Sequence, residues 1–276
     1  MKKILLLIPG LPRTGSTFLF NLLCQHDMVL KSKVKETAFF HDHLDFNNLS
    51  KPQFLENFNS FLTKERIYID GTVTYFLDKN YIKKALLFCE EFNLELKIIL
   101  LNRHKYERAK SQYFHEKLRS EHSADFITLI EQEFNDIEKG LDTKTSFFIG
   151  SNYEKMTNDI KSYIEEDSIF EISFEDLFKE STILEVEKFL KITRFPYKYD
   201  DIHKNESIPI DNKLFIFLKF ILIKIRNLSP LFFEKKIFRS LYNRFHKLFG
   251  QVSKNKSKYN KDEKEIFLKL YSKIKE

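Results

Sequence analysis

Gly10-Leu11-Pro12-Arg13-Thr14-Gly15-Ser16-Thr17 is the stretch whose reading decides the fold. It follows the apolar run Ile4–Ile8 and opens a segment carrying Phe18, Leu19, Leu22 and Leu23 at helical spacing. A glycine loop between a buried strand and a helix is a phosphate cradle, because the first N–H groups of the helix and its dipole favour an anion. Gly15 lets the backbone approach the ligand, and Ser16 and Thr17 add hydroxyl donors. The spacing is that of a Walker A loop, but Ser16 stands where an ATPase or GTPase needs lysine against its β- and γ-phosphates. The nearby cation is Arg13, inside the loop, which suits a short phosphosulfate rather than a triphosphate.

Working outward, Lys3–Ile8 and Leu96–Leu101 read as strands, the latter apolar except for Lys97. Such continuity suits a parallel strand buried on both faces. Val29–Lys35, Ile67–Asp70 and Ser168–Ser173 read as further strands. Helices are expected over Ser16–Gln25, Lys51–Leu62, Lys79–Phe92, Tyr106–Leu118, Phe126–Lys139, Tyr153–Ile164, Phe174–Phe178 and Thr182–Leu190. The alternation predicts an α/β fold, a doubly wound parallel sheet of four to five strands with helices on both faces, of P-loop nucleotide-binding type. Ligands of such sheets bind beyond the carboxyl ends of the strands. Residues 1–210 form the nucleotide-binding domain in this reading. Residues 211–276 form a basic helical C-terminal extension packed on it, ending in an amphipathic helix with Ile266, Leu270 and Ile274 four apart.

Composition narrows the classes. With only 6 Gly and 6 Pro in 276 residues, the many tight turns of a β-sandwich are not provided for. Cys24 and Cys89, both inside apolar helical patterns, point to a reducing compartment and to no metal site. The apolar run after Lys2-Lys3 ends at Pro9-Gly10, too soon for a secretory signal, and no run reaches the roughly 20 apolar residues of a membrane span. A cytoplasmic protein is expected. Charge is uneven: from Asn212 onward there are 17 Lys/Arg against 5 Asp/Glu, and before it 29 against 35. The segments Leu214–Leu228 and Leu231–Phe249 fit either a peripheral contact with an anionic membrane surface or a helical subdomain that covers the ligand cleft or forms a dimer contact. A nucleic-acid partner is not expected.

Pro12-Arg13-Thr14-Gly15-Ser16-Thr17 resembles the 5′-phosphosulfate motif of sulfotransferases that use 3′-phosphoadenosine 5′-phosphosulfate (PAPS), with Arg in place of the commoner Lys. Asn102-Arg103-His104-Lys105 through Tyr113 resembles that family's 3′-phosphate motif, with Arg103, Arg108, Ala109, Ser111 and Tyr113 in register and His104-Lys105 replacing the usual Asn-Pro. The resemblance implies that Arg13, Thr14, Gly15, Ser16, Thr17 and Phe18 hold one end of the nucleotide. Arg103, as a guanidinium fork, and Ser111 hold the other. Tyr153 after Gly150, Ser173-Phe174-Glu175-Asp176-Leu177, and His203 through Ser207 resemble later landmarks of the family.

Lys35-Glu36-Thr37-Ala38-Phe39-Phe40 resembles the segment of glycan sulfotransferases whose glutamate is the general base. Glu36 is therefore the expected base, Arg13 the catalytic cation at the leaving phosphate, and Lys35 a substrate contact. His41, Asp42 and His43 compete for the base, with His41 otherwise a substrate contact. Asp70-Gly71-Thr72-Val73-Thr74-Tyr75 resembles a loop bordering the acceptor cleft, where Tyr75 would stack on a sugar or on the adenine side. Together these imply PAPS as donor, PAP as product, no metal, and a carbohydrate or glycolipid acceptor sulfated on a hydroxyl or amine; a homodimer stays open. Two rivals are a small-molecule P-loop kinase, opposed by Ser16, and an inactive glycan-binding paralogue, opposed by an intact Glu36.

Overall fold

The computed structural model describes residues 2–41, 51–58, 66–118, 124–141, 147–148, 153–199 and 261–275. The described residues place five strands in one sheet: β1 (Lys3–Leu7), β2 (Val29–Lys31), β3 (Ile67–Asp70), β4 (Leu94–Asn102) and β5 (Ile169–Ser173). All are parallel, in the order β2-β3-β1-β4-β5. The helices are α1 (Ser16–Leu23), α2 (Lys51–Glu56), α3 (Lys79–Glu91), α4 (Lys105–Leu118), α5 (Phe126–Glu138), α6 (Tyr153–Lys161), α7 (Glu180–Leu190) and α8 (Lys261–Lys275). The doubly wound parallel sheet is as expected.

Alternation of side chains along β1 sends Leu5 and Leu7 to one face and Ile4 and Leu6 to the other. The first face packs on α2, α3 and α6 through Phe54, Phe88 and Ile160; the second packs on α1 and α7 through Leu19, Leu22, Ile183 and Val186. A third, aromatic cluster joins α4, α5 and α8 through Tyr106, Phe126 and Phe267 beside Phe148, so the last helix docks on the domain. Its anchor is Glu263, which accepts from Lys110 Nζ at 2.5 Å and from the Tyr106 hydroxyl at 3.3 Å. Lys97, the charge inside β4, is buried with its ammonium on the carbonyl of Asp167 (2.8 Å) and the carboxylate of Glu95 (3.2 Å).

Several boundaries differ from the sequence reading. The strand expected to reach Lys35 stops at Lys31, because Ser32 bridges antiparallel to Phe58 and Lys33 N–H donates to Asn57. The helix expected to Leu62 stops at Glu56, and 59–65 lie outside the described residues. Phe174–Phe178 is a run of turns instead of a helix: Asp176 N–H donates to Ser173 Oγ, which itself donates to the Asp176 carboxylate. Residues 200–260, with the two basic apolar segments, the 210/211 boundary and the His203–Ser207 landmark, lie outside the described residues, as do Asp42, His43 and Gly150.

Winding runs from β1 to β2 and β3 on one side, then across to β4 and β5 on the other. The crevice between β1 and β4 is the point where direction reverses, and ligands of open α/β sheets bind there. Two loops leave the sheet at that point, 8–15 after β1 and 103–104 after β4.

Candidate functional site

Each loop at the crevice is tied to its neighbours by backbone. Gly10 bridges Leu101 of β4, and its N–H donates to Val73 at 3.1 Å. Arg13 and Gly15 both take left-handed φ values, +72° and +96°. At Gly15 a Cβ would lie 2.4 Å from Leu177 Cδ2 and 3.3 Å from the ring of Phe174, so glycine is required twice over. No side chain caps α1, so the helix start presents its N–H groups at the loop. Thr14 Oγ1 donates to the carbonyl of Leu11 (2.9 Å), so this hydroxyl braces the loop. Phe18 is buried, its ring 4.7 Å from Phe178 and 6.5 Å from Tyr199.

The second motif closes on the first. Arg103 Nη1 donates to the carbonyl of Arg13 (3.0 Å), and Arg13 Nε donates to Ser111 Oγ (3.2 Å). Residues some 90 positions apart thus form one constellation. Burial, then the neighbouring Arg103 charge, hold the Arg13 guanidinium below its ordinary value. Two cations in partial burial repel each other, and a bound anion relieves that cost. Arg103 also lies 4.0 Å over the ring of Phe174. Phe174 and its neighbour Phe178 were not singled out in sequence as ligand contacts; their closeness to Gly15, Phe18 and Arg103 exists only once the chain is folded.

Beyond β2 and β3 lie the expected reactive residues. Lys35 Nζ donates to Glu36 Oε1 (2.9 Å) and to the carbonyl of Gly71 (2.8 Å). The carboxylate of Glu36 is about half exposed. Gly71 is bare because the stem of Lys35 covers it: a Cβ there would lie 2.9 Å from Lys35 Cγ. His41 Nε2 lies 2.9 Å from Thr74 Oγ1, and its ring is 4.8 Å from that of Tyr81, so the described histidine rival is held by the loop after β3. Tyr75 does not face a ligand as expected. It is fully buried among Phe40, His41 and Tyr81, and its hydroxyl donates to Asp70 and accepts from Phe40 N–H. Asp70, missed in sequence, sits at the centre of these bonds.

A cavity of about 390 Å³ opens beside the crevice between the end of β4, α6 and α8. Leu11 and Arg103 line it next to Arg108, Tyr153, Thr157 and Tyr271. Arg108 is almost wholly buried and held down to about 10 by desolvation, against the opposing charge of Glu133. The hydroxyls of Tyr153 and Thr157 are both buried at the cavity wall. Burial, then the Glu171 charge, push the Tyr153 phenol up to about 12, so it remains a donor.

Residues 3–209 match the family described as Sulfotransferase domain. The fold is similar to the crystal structure of a sulfotransferase from Alicyclobacillus acidocaldarius, with a TM-score of 0.56 and 15% identity over 85% of this chain and 98% of that one. Looser likenesses are a sulfotransferase domain from the curacin biosynthetic pathway (TM-score 0.47, 15% identity, 75% of this chain and 80% of that) and a mouse sulfotransferase complexed with PAP (TM-score 0.44, 12% identity, 99% and 83%). No curated protein matches the sequence.

Proposed function

Because the chain belongs to the sulfotransferase domain family, and is on that ground an enzyme of sulfuryl transfer, we propose that its donor is PAPS and its acceptor a hydroxyl or amine of a carbohydrate-like molecule, with PAP released. The observation that carries the donor assignment is the Arg103–Arg13–Ser111 constellation, which joins the two anion motifs at the winding reversal. The loop N–H groups at Gly15–Thr17 and Arg13 hold the 5′ end, and Arg103 with Ser111 the 3′-phosphate. Phe18, Phe174 and Phe178 form the aromatic surface nearest the loop, suited to an adenine ring.

In the transfer, the acceptor hydroxyl or amine gives its proton to Glu36 as the new O–S or N–S bond forms. The bond from sulfur to the phosphate oxygen breaks, and the charge left on PAP falls to Arg13. Lys35, tethered to Glu36 and to Gly71, keeps the carboxylate near a cation that also suits a sulfonate.

The test is release of PAP from PAPS by the purified protein with a panel of p-nitrophenyl glycosides of neutral, amino and acidic sugars. Sulfated product with at least one of them is expected, and Glu36→Gln abolishes it while PAP still binds. Turnover of ATP, or PAPS left intact with every glycoside, contradicts the proposal.

A further inference from the structure

Asp70 ends β3 outside the donor loop and is fully buried, with no lysine or arginine counter-ion among the described residues. Its carboxylate instead accepts five donors. Oδ1 takes Thr72 N–H (3.0 Å), Thr72 Oγ1 (2.6 Å) and, more weakly, Thr37 N–H (3.4 Å); Oδ2 takes Thr37 Oγ1 (2.5 Å) and the Tyr75 hydroxyl (3.0 Å). A hydroxyl has one hydrogen, and giving it to Asp70 leaves only lone pairs for other contacts. Those lone pairs receive three successive backbone N–H groups: Ala38 on Thr72 Oγ1 (3.1 Å), Phe39 on Thr37 Oγ1 (3.3 Å) and Phe40 on Tyr75 Oη (3.1 Å).

The carboxylate therefore sets the direction of three relays that clamp residues 38–40, which begin two positions after Glu36. The clamped segment includes Ala38 at φ +54°, a conformation an alanine holds only when its surroundings fix it. Burial, then the Asp70 charge, push the Tyr75 phenol well above its ordinary value, so that relay keeps its proton. From the other side, Gly71 N–H donates to the carbonyl of Lys35 (2.9 Å) and Lys35 Nζ donates back to the carbonyl of Gly71. Glu36 thus stands between two anchored points. Ile8 N–H on the carbonyl of Asp70 (3.0 Å) and Gly10 N–H on that of Val73 tie the same loop to the donor loop.

We propose that Asp70 is a positioning residue for sulfuryl transfer: it orients the hydroxyls of Thr37, Thr72 and Tyr75 so that they fix the Glu36 loop against the donor loop. The proposal rests on Glu36 being the base. Chemistry of the group explains why an acid is needed. Asparagine has the same shape but presents an NH₂ at one position, so at least one relay donor there loses its acceptor and its orientation toward residues 38–40 is no longer fixed.

The experiment compares Asp70→Asn, Thr37→Val and Thr37→Ser with the wild type. Asp70→Asn is expected to raise amide hydrogen exchange at least tenfold at 38–40 while β1 and β4 keep their protection; unchanged exchange there overturns the proposal. Thr37→Val is expected to lower kcat about 10–100-fold, the scale of a small misplacement of a reacting group, with the KM for PAPS and the affinity for PAP within about twofold. Thr37→Ser, which keeps the hydroxyl, restores kcat. A Thr37→Val enzyme with normal kcat, or one losing PAP affinity in proportion, overturns the positioning role. Glu36→Gln at wild-type rate overturns the base assignment beneath it; an inactive Glu36→Gln with a normal Thr37→Val overturns the positioning role alone.

Discussion

Replacing Gly15 by alanine puts one methyl group where the structure has no room for it. The new Cβ lies 2.4 Å from Leu177 Cδ2, and Leu177 is itself fully buried between α1 and α7. Relieving that overlap by moving core atoms costs about 1–3 kcal/mol. The left-handed φ of +96° adds roughly 1–2 kcal/mol for any residue with a Cβ. The expected loss is thus about 2–5 kcal/mol, a large part of the about 5–15 kcal/mol that a domain has. The chain has no tryptophan, so urea unfolding is followed by far-ultraviolet circular dichroism. Leu177→Ala alone costs about 2–5 kcal/mol through its cavity. In the double variant the methyl group has space, so the two losses fall short of adding by about 1–3 kcal/mol while the φ strain persists. PAP affinity drops in Gly15→Ala and stays low in the double variant, because the helix start no longer presents its N–H groups in the same place. A Gly15→Ala protein within about 0.5 kcal/mol of the wild type, or strictly additive losses, refutes the reasoning.

Two further outcomes are expected. Arg103→Ala removes a charge-assisted contact worth about 1.5–3 kcal/mol, roughly 10–150-fold in affinity for PAP, with little change for 5′-AMP; calorimetry showing equal losses for both nucleotides removes Arg103 from the 3′-phosphate. Burial pushes the Cys24 thiol up to about 12 and the Cys89 thiol higher still, so the thiolate is scarce at pH 8. Both should therefore react with a disulfide reagent only after urea is added, and rapid labelling of the folded protein at that pH contradicts the packing.

The fold was legible because its signals are local. An apolar run, a glycine loop and a helical pattern sit together between Lys3 and Leu23, and the apolar run of β4 shows its burial directly. The Pro12–Thr17 and Arg103–Tyr113 motifs are legible in the sequence, but their meeting is not: the reach of Arg13 to Ser111 depends on a left-handed arginine and on β1 and β4 being neighbours. The burial of Tyr75 is not legible in the sequence, because a tyrosine in a loop can stack on a ligand or fill a core, and only the packing around Asp70 shows it inside. Asp70 itself looked like an ordinary strand-end residue, since its partners come from positions 37, 72 and 75. Phe174–Phe178 has helical composition, yet the Ser173–Asp176 pair folds it into turns and sets Phe174 against Gly15 and Arg103.

The decisive measurement is calorimetric titration of the wild type with PAP, 5′-AMP and 3′-AMP under one set of conditions. Two anion pockets meeting at Arg13 and Arg103 predict that PAP binds at least tenfold tighter than either monophosphate. PAP binding no tighter than 5′-AMP contradicts a single nucleotide spanning both pockets.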